Sequence, residues 1–125
     1  MRAVVDTNFI VALIVEDDVN HLNALDVWGK LEEAVLPAIA VSELAYFLLK
    51  HHVDLEVLEE VLSDPKIEVE PLKEEDLIFA LRNSNKIKTY DDFNDFLILS
   101  AAVRLGLKLL TYDRVLQEIY QKHVK

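Results

Sequence analysis

The 125-residue chain contains no cysteine, only two glycines, three prolines and one tryptophan, and few basic side chains, 13 against 23 acidic ones. Without cysteine there is neither a disulfide framework nor a thiolate metal site, so an ion held here must be held by oxygen or imidazole. The scarcity of glycine and proline, set beside 52% apolar residues, excludes a disordered tail and points to one packed, mostly regular domain over residues 1–125. No apolar run approaches the roughly 18 residues of a membrane span. The opening MRAVVDTNFIVALIV is broken by Asp6 and lacks a small-residue cleavage site, so no secretory leader is expected. Gly-rich phosphate loops and Ser or Cys nucleophile motifs are absent as well. These absences predict a soluble, cytoplasmic protein with no membrane partner.

A net charge of −10 disfavours a polyanionic partner, yet it is unevenly distributed. Residues 1–81 hold 5 basic and 18 acidic side chains, net −13, and residues 82–125 hold 8 and 5, net +3. Arg82, Lys86, Lys88, Arg104, Lys108, Arg114, Lys122 and Lys125 therefore offer either a phosphate-facing surface or an ordinary solvated one.

The apolar pattern alternates between strand and helix. A β-branched run, Ala3-Val4-Val5, stops at Asp6-Thr7-Asn8, residue types suited to turns and helix starts. A short helix follows from Asn8, then one from about Asp18 to Glu33 with Leu22, Leu25, Trp28 and Leu31 on its apolar face. A strand at 35–37 leads into a helix over 39–51, and Asp54 is placed to cap the next. KIEVE at 66–70 alternates like a half-exposed strand, 73–83 reads as a helix, and a polar link precedes the helix that begins near YDDFNDFLIL. Gly106 ends that helix, LKLLTY at 107–112 is a strand, and Asp113 opens a last helix to about Lys122. Such alternation predicts an α/β domain in three layers, a small, mainly parallel sheet of four to five strands flanked by helices. In sheets of this kind the working site lies beyond the carboxyl ends of the strands.

Four acids fall near those ends: Asp6 after the first strand, Glu43 in the helix entered from the second, Asp113 after the last, and Asp95 near the start of the preceding helix. Taken singly, Asp6 and Asp113 are good helix caps, Glu43 suits a first helical turn, and Thr89 with Asp92 fits a capping box. Asp95 differs. It stands directly before FLIL, apolar around the whole helix, where a lone carboxylate is expensive. Carboxylates converging to about 5 Å would repel by about 3 kcal/mol per pair at an effective dielectric near 20. Protons or a cation must compensate, and an all-oxygen site suits Mg²⁺ or Mn²⁺.

VVDTNFI at 4–10, SEL at 42–44 and NDFLILSAAVRLGLKLLTYDRVL at 94–116 resemble, in order, the blocks of a PIN-domain nuclease of the kind found in VapC toxins of toxin–antitoxin pairs. The last block is the most specific: an Asp opening an apolar helix, a Gly at its end, a strand, then Thr-x-Asp. The resemblance implies a metal-dependent endoribonuclease that hydrolyses single-stranded RNA, a homodimer, silenced by an antitoxin with a basic segment. It implies that Asp6, Glu43, Asp95 and Asp113 are the catalytic, metal-holding acids. Asp6 and Asp95 would be the firmest ligands and Asp113 would serve a second or water-bridged ion, with Asn8 and Thr111 as polar neighbours and Asp92 as an additional acid. Two departures stand out: Leu116 replaces a position that is sometimes acidic in the family, and no clear final edge strand follows, which implies four strands.

Two other readings compete. A non-catalytic acidic module could receive a basic partner peptide. A phosphatase of the haloacid dehalogenase type would also carry Asp6 after its first strand, but it wants a second Asp where Asn8 stands. His51 and His52 point in different directions on a helix and suit its carboxyl end rather than a metal. Tyr46, Phe47 and Trp28 read as core or dimer contacts rather than base-stacking platforms.

Overall fold

The computed structural model describes residues 1–124. In chain order its elements are β1 (Arg2–Val5), α1 (Thr7–Ile14), α2 (His21–Lys30), β2 (Glu33–Pro37), α3 (Ala38–Lys50), α4 (Glu56–Leu62), β3 (Ile67–Glu70), α5 (Glu74–Arg82), α6 (Tyr90–Leu105), β4 (Lys108–Leu110) and α7 (Arg114–His123), with one 3₁₀ turn at Ser84–Lys86. The four strands form one sheet in the order β3-β2-β1-β4, and every pairing is parallel. Val4 of β1 stands between Val35 of β2 and Leu109 of β4. Both central strands are buried from end to end of their apolar runs, Ala3–Val5 and Ala34–Leu36, as strands covered on both faces must be.

Strand order sets the layers. The chain steps from β1 to β2 to β3 in one direction and then returns to the far side of β1 for β4. Right-handed crossovers, the rule for parallel connections, put α1 to α4 on one face and α5 and α6 on the other. The reversal falls between β1 and β4, so the crevice where an open α/β sheet receives a ligand lies beyond the carboxyl ends of those two strands.

Helix α6 is the central strut of its face. Phe96, Leu97, Ile98, Leu99, Ala101 and Ala102 are all buried, which accounts for an apolar run without polar relief. Its start is sealed by a capping box: Thr89 Oγ1 accepts from the Asp92 amide, and Asp92 Oδ2 accepts from the Thr89 and Lys88 amides. Gly106 ends it in the left-handed region, φ 66°, which favours glycine.

Several elements are shorter than the periodicity predicts. Helix α2 begins at His21 rather than Asp18, because Asp18 Oδ1 accepts from the Asn20 amide and holds a turn there. Half of its expected stripe holds: Leu31 is buried and Trp28 packs against the core, but Leu22 and Leu25 are 80% and 46% exposed, and Ala24 and Val27 take their place. Asp54 acts one residue before the assigned cap, Leu55, by accepting from the Glu56 amide. Strand β4 stops at Leu110, since the Tyr112 amide is given to Asn8 Oδ1 instead of a ladder. Among the described residues no helix is long and apolar enough to cross a membrane.

Candidate active-site cleft

The Asp6 amide donates to the Leu110 carbonyl at 3.0 Å, tying the end of β1 to the end of β4. Asp6 then caps α1, accepting at Oδ1 from the Thr7 amide (2.7 Å) and at Oδ2 from Thr111 Oγ1 (2.7 Å). It is buried, and burial raises its pKa to about 6 against the pull of those two donors, with the charges of Glu43 and Asp113 adding to the rise. Asn8 and Thr111 are the polar neighbours expected. Asn8 Nδ2 donates to Thr111 Oγ1 at 3.2 Å, and Asn8 Oδ1 accepts from the Tyr112 amide. Asn8 thus clasps the loop after β4, at the position where a phosphatase of the haloacid dehalogenase type wants its second Asp.

Glu43, on α3, has both oxygens engaged. Thr7 Oγ1 donates to Oε1 at 2.7 Å and Asn94 Nδ2 to Oε2 at 3.4 Å. Burial raises its pKa, Thr7 and Asn94 oppose that, and Asp91 raises it further. Asp113 caps α7, accepting at Oδ1 from the Leu116 amide. Asp95 is different again: among the described residues its carboxyl accepts no hydrogen bond. Burial, then the charges of Asp6, Asp113, Glu43 and Asp92, raise its pKa to about 8. The start of α6 thus brings Asp95 to the same cleft as Asp6, Glu43 and Asp113.

These four acids line one cleft of about 890 Å³, together with Thr7, Asn8 and Asn94. They do not form the closed four-carboxylate cluster expected. As the side chains stand, no three of the described acids are placed to grip one ion together. Asp6, Glu43 and Asp113 are each turned towards a protein donor, which is how like charges of this density are eased. The donor set nonetheless fits a hard divalent cation: its acids offer only oxygen, and among the described residues Asp95 has neither a hydrogen-bond donor nor an ion-pair partner.

Three expectations need correction. Asp92 does not join the cleft; its carboxylate is spent on the Lys88 and Thr89 amides, which hold its pKa down, and Asp91 lines the cleft in its place. Of the eight basic residues after position 81, Lys125 lies outside the described residues and none of the others lines the cleft. Arg104 is consumed by ion pairs with Glu70 and Asp76. Tyr46 is not core, at 68% exposure, which leaves only a dimer contact of its two expected roles, whereas Phe47 and Trp28 do pack on the core.

Thr7 and Asn94 were not singled out by the sequence. Both hold Glu43, from positions 36 and 51 residues away, and Asn94 Oδ1 is buried without a partner among the described residues. Their only sequence signal is adjacency, Thr7 to Asp6 and Asn94 to Asp95.

The PIN domain family model matches residues 3–122. No curated protein matches the chain in sequence. Among solved structures, VapC20 of Mycobacterium tuberculosis, a toxin that cleaves the sarcin-ricin loop, superposes with TM-score 0.79 at 17% identity over 94% of each chain. VapBC2 of Rickettsia felis, bound to a promoter DNA fragment, gives 0.70 at 21% identity over 99% of this chain and 96% of that one. A toxin–antitoxin complex of Klebsiella pneumoniae gives 0.66 at 22% identity over 89% and 86%. At these identities the likeness is one of fold.

Proposed function

Because the chain belongs to the PIN-domain family, we propose that it is a divalent-metal-dependent endoribonuclease acting on single-stranded RNA, the toxin of a toxin–antitoxin pair. The observation that carries this reading is Asp95: a carboxyl raised to about 8, without a donor, at the same cleft as Asp6, Glu43 and Asp113. A group so placed is costly to the free protein and serves a cation that the reaction needs.

Asp6 and Asp95 would hold Mg²⁺ or Mn²⁺ most firmly, with Glu43 and Asp113 completing the set. When bound, such an ion supplies an activated water and neutralises charge that builds on a phosphodiester oxygen. The chain's own residues do the positioning. Thr111 orients Asp6, Thr7 and Asn94 orient Glu43, and the α7 amide of Leu116 orients Asp113. Attack by that water would leave a 5′-phosphate and a 3′-hydroxyl. A 2′,3′-cyclic phosphate product would overturn this.

The same acidity suits a basic antitoxin segment, which would lie in the cleft and displace the ion, and the family resemblance extends the assembly to a homodimer acting in the cytoplasm. Cleavage of labelled single-stranded RNA tests the reading, with Mg²⁺ or Mn²⁺ against EDTA and wild type against Asp95→Asn. Loss of cleavage with both chelation and substitution is expected. Cleavage unchanged by either would remove the support for the four acids, and a protein that binds basic peptides but cleaves nothing would be the non-catalytic module.

A further inference from the structure

Beyond the carboxylates the cleft has a second, aromatic end that hydrolysis leaves unused. Glu43, Tyr46, Phe47 and Lys50 all line it from one face of α3, at spacings of three and four residues that carry the wall about 10 Å along the helix. Tyr90, in the first turn of α6, lines it too, four residues before Asn94. Two of the four rings in the cleft are already committed. Phe47 packs on His51 at 4.3 Å, and Tyr112 stacks on Phe9 at 5.8 Å while its hydroxyl donates to Asn23.

Tyr46 and Tyr90 are not. They are 68% and 73% exposed, and among the described residues neither ring stacks on another and neither hydroxyl has a partner. Lys50 is the one cation among the described residues lining the cleft, and it makes no ion pair there.

Charge decides what such a rim can receive. Six acids line the cleft, Asp6, Asp18, Glu43, Asp91, Asp95 and Asp113, and the chain carries −10 overall. A duplex would bring one phosphate charge per roughly 1.7 Å of axis and keep its base faces stacked internally, beyond the reach of either tyrosine. An unpaired strand brings fewer phosphates and offers those faces directly, and stacking on aromatic side chains is indifferent to the acidic surroundings. Resting on the ribonuclease reading above, we infer that Tyr46 and Tyr90 are stacking platforms for unpaired bases flanking the scissile phosphate, and that Lys50 contacts a single flanking phosphate. Selection for unpaired RNA thus comes from aromatic faces rather than from a basic groove.

The test is steady-state cleavage of an unpaired oligoribonucleotide in Mg²⁺, run beside fluorescence anisotropy of the same labelled oligonucleotide and of its annealed duplex. Tyr46→Ala and Tyr90→Ala should each raise KM and weaken binding roughly 5- to 150-fold, the range of one lost base stack. Their kcat should stay close to wild type, and Tyr46→Phe and Tyr90→Phe should restore KM because the ring suffices. Lys50→Ala should flatten a salt dependence whose wild-type slope is about −0.7, that of one phosphate on a single strand. Wild-type cleavage with KM unmoved in the alanine variants overturns the platforms and leaves the ribonuclease reading intact. No cleavage by wild type, with binding that still depends on the tyrosines, overturns that reading and keeps the platforms; binding indifferent to them overturns both. A tyrosine variant that changes sedimentation but not oligonucleotide affinity marks the rim as a protein interface, which also overturns the inference.

Discussion

Helix α6 meets a carboxylate near each end, and the two are treated in opposite ways. At the carboxyl end Asp76, only 1% exposed, accepts from the Lys73 amide, Ser100 Oγ and both Nε and Nη2 of Arg104, while Arg104 Nη1 reaches Glu70 at 2.6 Å. Burial pushes Asp76 up, but Arg104, Ser100 and the Lys73 amide outweigh it and hold the pKa below the usual range. At the amino end Asp95 is more exposed to solvent, has no donor among the described residues, and is pushed up to about 8. Depth of burial therefore does not separate framework from site. Between these two, donor supply does: Asp76 is met by four protein donors, whereas Asp95, left wanting, marks a place where something else must arrive.

The sharpest way to break this contrast is to strip Asp76 of its partner. Arg104→Leu should cost about 3–5 kcal/mol, the price of a buried charge left alone, read as a lowered urea midpoint, while cleavage per folded molecule persists. Asp95→Asn should do the reverse. Cleavage should fall at least ~100-fold, as for loss of a group that stabilises transition-state charge, yet the metal-free protein should melt higher because a repelled charge has gone.

The two ends should also differ in sign against pH. Asp76 is depressed, so its contribution is present above the unfolded value near 3.9 and lost as pH falls through its lower folded pKa. Asp95 and Asp6 are raised, to about 8 and about 6, so their contribution is present below the unfolded value and lost as pH rises through those two. Urea melts in EDTA should accordingly show stability declining from pH 4 towards 8 and collapsing below 4. Mg²⁺ or Asp95→Asn should flatten the upper limb, and a flat limb in unsubstituted, metal-free protein would contradict the assignment. The smallest effect is expected from Thr7→Val, which removes one donor from Glu43: about 1 kcal/mol, read as a roughly fivefold loss of kcat/KM with the melting temperature little changed.

Much of this was legible before folding. Buried strands announced themselves as Ala3-Val4-Val5 and Val35-Leu36-Pro37, and Asp6, Thr89 with Asp92, Gly106 and Asp113 announced the helix ends, because caps and periodicity are local properties. Asp95 stood out because it interrupts nothing polar. What misled was equally local in form: Leu22 fits a helical stripe and is 80% exposed, and Asp92 looked like a fifth acid but serves the backbone. Arg104 read as a free surface charge, since nothing nearby in sequence shows Asp76 and Glu70 waiting for it.

By itself, then, the sequence determined the α/β class, the order of elements and, with Glu43 inside α3, the candidate acids Asp6, Asp95 and Asp113 beside strand and helix ends, all encoded within a few residues of where they stand. Only the tertiary structure decided that β4 returns beside β1, that Thr111 reaches Asp6 across 105 positions, and that Thr7 and Asn94 share Glu43. It also decided that Tyr46 and Tyr90 remain bare at the same cleft. Those outcomes rest on which way the chain crosses over and what each face finds opposite it, and residues so far apart in sequence carry no local pattern from which that meeting can be read.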